Sequence, residues 1–295
     1  MPLKRCLAGL SDPSKSMADL RLSDLSDLSP TEVELFQKVW GEVETERRRQ
    51  VMDRLIALAK GNAKLNFDRI FFACLSDSEA TVRAKAIEGL WECEDCALIA
   101  TLIEMLATDK AEIVRIVASS ALGRFALLAE LNKVHPRHIT KMWNSLLKVI
   151  NDEKEKVEVK CRAIEAIAPL NLPQVKEVIY RAYQSKNSKI KASALRAMGL
   201  NCDPMWLELL LKELDNLDLK MRLEAVKACG ELGKEEAVPH LLKLTHESSL
   251  QTQLAAVMAL GQIGGGEARY ALYQCLRHPD KRVRLVAEEA WGAIL

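Results

Sequence analysis

The sequence predicts an all-α protein, a right-handed α-solenoid of about eight stacked antiparallel helix pairs. A motif recurs along most of the chain with a period of 31 residues, and such a period is typical of stacked helical repeats. Small residues recur at fixed offsets within each repeat. Aromatic residues make up only 5% of the 295 residues, and glycine and proline are few. This composition favours helices over a β-sandwich or barrel.

The repeat is clearest when the chain is aligned on one residue, here called the anchor. The anchor is basic in all repeats but one and usually follows an apolar residue. Successive anchors are 32, 45, 31, 31, 31 and 31 residues apart. Each anchor is followed by an alanine at +3, a small residue at +6 and an apolar residue at +7, and five repeats have glycine at +8. The anchors are Arg83, Arg115, Lys160, Lys191, Arg222, Gln253 and Arg284.

These offsets predict two helices in each repeat. Positions −1, +3, +6 and +7 fall on one broad side of a helix with 3.6 residues per turn, so the anchored B helix is expected to pack with that side. The glycine at +8 is interpreted as a left-handed residue that closes the last helical turn. An amphipathic A helix precedes each B helix, for example at 172–183 and 206–214. A single pair cannot bury its apolar face, whereas stacked pairs bury a continuous core.

One solenoid domain is expected over residues 29–295, preceded by a flexible lead-in at 1–28. Ser29 and Glu32 form a capping box, with Pro30 at the first helical position. The 45-residue spacing contains about 14 residues beyond the period, expected as an insertion loop at about 129–138. The apolar C-terminal end lacks a polar cap, which suggests a monomer or a weak homodimer through that end.

Charge and cysteine content restrict the function classes. The chain has 42 Lys plus Arg against 41 Asp plus Glu, which disfavours a nucleic-acid or membrane binder that uses its whole surface. The eight cysteines show no dense spacing pattern, and no apolar leader segment precedes them. Free thiols and a cytoplasmic location are therefore expected. No stretch of 18 apolar residues is present to span a membrane.

The repeat signature resembles that of the HEAT-repeat family, and its short period is similar to the prokaryotic subgroup first noted in phycobilisome lyases. The resemblance implies that B helices line the inner, concave surface. It also implies a ladder in which a turn aspartate pairs with a helix arginine. Asp77 and Asp109 fit this ladder with Arg83 and Arg115, but later repeats have Ser185, Asn216, Glu247 and His278 in place of the aspartate. The residues that carry the resemblance are Asp77, Val82, Arg83, Ala86 and Leu90, then Asp109, Val114, Arg115, Ala118, Ala121, Leu122 and Gly123, and finally Val283, Arg284 and Ala287.

A partner is expected to bind along the B helices. Offsets +2, +5 and +9 lie opposite the packed side, and this stripe carries both signs of charge in the middle and is more apolar towards its C-terminal end. Mixed charge suits a protein or peptide partner better than a polyanion, and solenoids present extended binding surfaces. The candidate binding residues are Lys85, Glu88, Arg124, Arg162, Glu165, Arg196, Glu224, Lys227, Met258 and Glu289.

The sequence therefore predicts a non-enzymatic scaffold or adaptor for a protein partner, with no catalytic residues and no cofactor. One alternative, which rests on the resemblance alone, is a bilin-lyase-like or chaperone-type helper. Another is a nucleic-acid binder that uses the basic segment 176–196. The weak metal or redox candidate is Cys93 with Cys96, since Cys-x-x-Cys can form half of a zinc site or a redox pair. No second such pair completes a zinc site.

Overall fold

The computed structural model describes residues 2–12 and 14–293, and within them it contains helices and no β-strand. The chain divides into two compact units, residues 1–125 and 126–295, and the division falls inside α7. The helices that begin in the first unit are α1 (Pro2–Ser11), α2 (Pro30–Trp40), α3 (Thr45–Gly61), α4 (Asp68–Cys74), α5 (Ala80–Gly89), α6 (Ala97–Thr108) and α7 (Glu112–Glu130).

The second unit holds five helix pairs. Each A helix packs on the B helix that follows it, and α9, α11, α13, α15 and α17 pack on one another in that order. With α2 to α7, the described helices form eight A–B pairs in chain order, so the predicted helical repeat fold is confirmed. The helices are α8 (Pro136–Asn151), α9 (Val157–Ile167), α10 (Pro173–Tyr183), α11 (Ser188–Asn201), α12 (Leu207–Glu213), α13 (Leu219–Leu232), α14 (Val238–Leu244), α15 (Leu250–Ile263), α16 (Gly265–Cys275) and α17 (Lys281–Ala293).

The N-terminal segment, expected to be a flexible lead-in, is folded in its described part. It contains α1 and two short 3-10 helices, and Leu10, Leu22 and Leu25 are buried. The guanidinium of Arg47 on α3 donates to the Gly9 carbonyl at 2.8 Å and to the Lys15 carbonyl at 2.9 Å. The difference arises because the spaced leucines bury apolar surface, and that burial offsets the entropy lost on ordering.

The expected insertion loop at 129–138 is short. Helix α7 continues to Glu130, and α8 begins at Pro136, capped by the His135 imidazole, which accepts from the Arg137 N–H at 3.2 Å. Most of the extra residues lie instead in long helices, since α7 has 19 residues and α8 has 16. Only residues 131–135 connect the two helices. The insertion therefore lengthens the repeat rather than forming an extended loop.

The anchor side chain has a structural role, and this role explains why one repeat has a glutamine instead of a basic residue at the anchor. In five repeats its side chain donates to the backbone carbonyl six residues earlier, at 2.5 to 2.9 Å. The bond ties the start of the B helix to the A–B turn. An amide can donate this bond as well as a guanidinium, so Gln253 serves in place of arginine. The pairs are Arg83 with Asp77, Arg115 with Asp109, Arg222 with Asn216, Gln253 with Glu247, and Arg284 with His278.

The residue six before the anchor also has a local role. In five repeats its side chain accepts a hydrogen bond from the backbone N–H two residues later, at 2.8 to 3.1 Å. Aspartate, asparagine, serine and a neutral histidine nitrogen can all accept such a bond. This requirement explains why the aspartate is replaced without loss of the turn. The accepting residues are Asp77, Asp109, Ser185, Asn216 and His278.

Ion pairs between repeats follow the expected ladder only in part. Arg83 forms two hydrogen bonds of 2.8 Å with the carboxylate of Asp109, which belongs to the next turn. Burial acts to raise the pKa of Asp109, but the hydrogen bonds from Arg83 and the Ala111 N–H outweigh it and lower the pKa. In the second unit a glutamate takes this role, because Lys191 lies 2.8 Å from Glu213.

The glycine at +8 does not close the helix, so that interpretation is wrong. Gly199 lies inside α11, and a Cβ added there would be 2.8 Å from Cα of Ala228 on α13. Gly230 meets Ala259 in the same way at 2.9 Å. These alanines are the +6 residues of the following repeat, so the glycine permits close approach of successive B helices. The residues with positive φ that close the helices lie three positions later, at Cys202, Gly233 and Gly264.

Replacing the +8 glycines tests this packing. Gly199→Ala and Gly230→Ala should each lower the free energy of unfolding by about 1–3 kcal/mol, because the added methyl group overpacks a helix contact. Gly266→Ala is the matched control, since a Cβ there meets nothing within 4 Å. It should leave the stability unchanged or raise it by up to about 1 kcal/mol. Urea unfolding checks this, and equal effects at all three positions would contradict the packing role.

Candidate functional site

The B helices of the second unit carry a continuous set of paired charges, here called the ion-pair row. Arg162 on α9 lies 2.7 Å from Glu165, and Glu165 lies 3.2 Å from Arg196 on α11. Arg196 then donates to both oxygens of Glu224 on α13, at 3.0 and 3.1 Å. The row consists of Arg162, Glu165, Arg196, Glu224 and Lys227, which lies 3.6 Å from Glu224.

Partial burial makes the row part of the fold. Glu224 is only 6% exposed, and the hydroxyl of the buried Ser193 donates to Glu165 at 2.9 Å. Burial acts to lower the pKa of Arg196, but Glu165 and Glu224 outweigh it and raise the pKa. Removing Arg196 would leave two partly buried carboxylates without their shared cation, which is costly. Five of the ten predicted binding residues are therefore paired with one another across three helices.

The C-terminal end of this face is apolar and open. Met258 on α15 is 58% exposed, and it borders a depression of about 320 Å³ between α15 and α17. Gly261 and Ala290 approach closely there, since a Cβ on the glycine would lie 2.8 Å from that of the alanine. The two predicted residues Met258 and Glu289 thus meet at one site. The depression is lined by Met258, Gly261, Gln262, Val286, Glu289, Ala290 and Ala293.

Glu231 on α13 lies at offset +9 of the B-helix stripe, but it is not one of the ten candidate binding residues. Its carboxylate lies over Gly199, where an added Cβ would be 2.3 Å from Oε2. Burial raises its pKa, and the nearby Arg196 only partly opposes this. Within residues 2–12 and 14–293, its carboxylate forms no hydrogen bond or ion pair. The side chain as a whole is exposed, and its position beside a +8 glycine is the sequence signal for the contact.

The first unit places its three predicted residues differently. Lys85 on α5 pairs with Asp53 on α3. The Arg124 guanidinium donates to the carbonyl of Trp91, and burial lowers its pKa. Glu88 is exposed. Two of the three side chains are therefore already held by contacts within this unit.

The Cys93 and Cys96 pair lies in the connection between α5 and α6. Cys93 is buried, and this burial raises the pKa of its thiol. A raised pKa disfavours the thiolate, which is the nucleophile and the metal ligand. Cys93 is a free thiol, and the described residues contain no group of three or more His, Cys, Asp or Glu side chains that could hold a metal ion.

The basic segment 176–196 is largely neutralised by its neighbours. Four of its six basic side chains contact a carboxylate, and Arg181 contacts a neutral amide oxygen, so less positive charge is free for phosphates than the sequence suggests. The pairs are Lys176 with Asp203, Arg181 with Asn151, Lys189 with Glu158, Lys191 with Glu213, and Arg196 with Glu165 and Glu224. As for membranes, none of the described helices combines the length and apolar character that a membrane span requires.

The structural role of the ion-pair row can be tested by measuring the stability of variants. Arg196→Gln should lower the free energy of unfolding by about 1–3 kcal/mol, because Glu165 and Glu224 lose the cation between them. Lys227→Gln is the control, since its side chain is 57% exposed and its pairing distance is 3.6 Å. It should change stability by less than about 0.5 kcal/mol. Similar losses in the two variants would contradict a structural role specific to Arg196.

Comparisons with known proteins agree with this repeat geometry. Residues 207–292 match the family model for HEAT repeats. The structure is similar to a chain in the complex of CpcE and CpcF of phycocyanin lyase from Nostoc sp. PCC7120, with 17% identity, a TM-score of 0.54, and 91% of this chain and 96% of that chain covered. It is also similar to YibA of Escherichia coli, with 15% identity, a TM-score of 0.50, and 95% and 98% covered. A search of curated proteins found no match. Residues 207–292 therefore match HEAT repeats, and the chain has a helical repeat fold of the type found in the phycocyanin lyase complex.

Proposed function

We propose that this protein is a non-enzymatic scaffold that binds a segment of a partner protein on the B-helix face of its second unit. The observation that carries the proposal is the exposed Met258 beside the depression between α15 and α17. A half-exposed methionine over a cavity is a suitable contact for an apolar side chain, because its flexible thioether adapts to the shape of the ligand.

The ion-pair row supports the proposal indirectly. Arg196 and Glu224 link α11 and α13 at about the distance of an ideal charged hydrogen bond. Side chains fixed in this way give a preordered surface, and a partner then loses less of its binding energy to ordering the site. The row is accordingly proposed as the rigid border of the site, while the contact itself is made at α15 and α17.

This assignment divides the ten candidate residues. Met258 and Glu289 are proposed to touch the partner directly, and Glu88 in the first unit is an exposed candidate on its own face. The residues of the ion-pair row hold the helices together, so charge reversal there would disturb folding and binding at once. Variants that test binding therefore belong at α15 and α17.

No structural observation specifically favours either of the two alternative functions. Binding to nucleic acid through 176–196 is disfavoured because those cations are paired with neighbouring side chains. The bilin-lyase-like helper is supported by similarity of fold, and one fold hosts many functions. The protein scaffold is favoured because its site is exposed, apolar and bordered by ordered side chains.

Photo-crosslinking tests the proposed site. A benzophenone amino acid would replace Met258 in one variant and Met205 in a second, and each variant would be irradiated in lysate of the source organism. Met205 is a matched control, since it is 54% exposed and lies outside the B helices. We expect a discrete protein adduct from position 258 and none from position 205.

A competition experiment tests whether the adduct at position 258 comes from specific binding. The wild-type protein, added in excess, should reduce the adduct at position 258, whereas a Met258→Glu protein should not, because a carboxylate would have to be desolvated against apolar groups. The same adducts at both positions, or no adduct at 258 while the protein remains folded, would reject the proposed contact site.

A further inference from the structure

On the B-helix face of the second unit, some charged side chains form ion pairs within the protein and others do not. The ion-pair row joins two carboxylates to three cations, and its neighbours Glu158 and Lys189 add one charge of each sign. Because these charges are paired with one another, they contribute little to the choice of a partner's charge. A partner's charge is therefore selected by the groups that the row does not include.

Two carboxylates remain outside the row. Glu231 lies at +9 on α13, and Glu289 lies at +5 on α17 beside the depression. Among the described residues neither carboxylate has a hydrogen bond or an ion pair. Burial raises the pKa of Glu231, and the nearby Arg196 and Lys227 only partly oppose this. Each carboxylate can accept an ion pair from a partner's cation.

The two acids lie at different distances from the apolar depression. Helices α13, α15 and α17 pack in sequence, and packed helices lie about 8–10 Å apart. Glu289 is thus at the border of the depression, and Glu231 is within about two helix spacings of it. At about 3.3 Å per residue, an extended segment crosses this distance in about six residues.

We infer that the partner segment carries an apolar side chain that enters the depression beside Met258 and flanking Lys or Arg side chains that pair with Glu289 and Glu231. This inference rests on the proposed function, which supplies the site, and adds the chemistry of the occupant. The apolar anchor contributes buried area, and the cations match the two unpaired carboxylates in sign. An acidic segment would meet two carboxylates of the same sign and is disfavoured by repulsion.

Selection from a displayed library of random twelve-residue peptides tests the occupant. The full chain is the bait, and a parallel selection uses the Met258→Glu chain. Peptides enriched only by the wild type should share an apolar residue with Lys or Arg within about six positions of it. If the peptides that depend on Met258 are acidic or neutral, the inference fails while the proposed site stands. If no enrichment depends on Met258, the proposed site fails as well.

The acids are then tested individually with an enriched peptide. Glu289→Gln and Glu231→Gln should each weaken binding by about two- to fivefold at low salt, as expected for a partly exposed ion pair. Glu208→Gln on α12 is the control, because this exposed glutamate lies outside the B helices and its replacement should leave binding unchanged. Equal losses in all three variants would indicate a general effect of net charge and overturn the assignment.

Stability distinguishes a binding role from a structural one for Glu231. Among the described residues the Glu231 carboxylate has no hydrogen bond or ion pair that its replacement would remove, and burial raises its pKa. Glu231→Gln should therefore keep or raise the melting temperature while it weakens binding. A lower melting temperature together with weaker binding would assign Glu231 to the fold and remove it from the partner site.

Discussion

Close approach of successive B helices is the constraint on which the second unit depends. The +8 glycine of one helix accommodates the +6 alanine of the next, and a side chain at the glycine would overlap that alanine. The approach brings Arg196 and Glu224 into direct hydrogen-bonding contact across two helices. It also places the Glu231 carboxylate on Gly199 and forms the depression near Gly261 and Ala290. The same backbone contact therefore shapes both the charged and the apolar parts of the face.

The turns provide the second constraint, and they tolerate more variation. In five of the seven repeats the anchor donates to the carbonyl six residues earlier, and in five the residue at that position accepts from the backbone N–H two residues later. Several residue types satisfy each requirement, which is why Gln253 and His278 occur where arginine and aspartate are usual. In the first unit a turn aspartate also pairs with an arginine of the preceding repeat, since Asp109 accepts a hydrogen bond from Arg83.

Periodicity predicted the fold because it reports local geometry. The offsets of apolar and small residues determine which side of a helix is buried, and the positions Val82, Ala86 and Leu90 are buried as expected. The number of helix pairs followed from the same repeat. The lead-in at 1–28 was harder to predict, because its short helix is stabilised by contacts with α2 and by Arg47 from α3, far along the chain.

The site was only partly predictable, for a physical reason. The sequence stripe identified Met258 and Glu289, since exposure follows from helical phase. It did not show that Arg196 is held between Glu165 and Glu224, because these contacts join residues 28 to 31 positions apart. Paired and unpaired charges look alike in sequence, so Glu231 was not distinguished from the row. Three-dimensional pairing separates the charges that stabilise the fold from those available to a partner.

Methionine methyl spectroscopy tests the central claim that the partner contacts the α15–α17 end of this face. The protein would be labelled at the methionine methyl groups, and a peptide enriched in the selection would be added. The Met258 methyl resonance should shift while that of the similarly exposed Met205 stays in place. Shifts at Met205 with an unchanged Met258 would contradict the account, because binding would then occur away from the proposed surface.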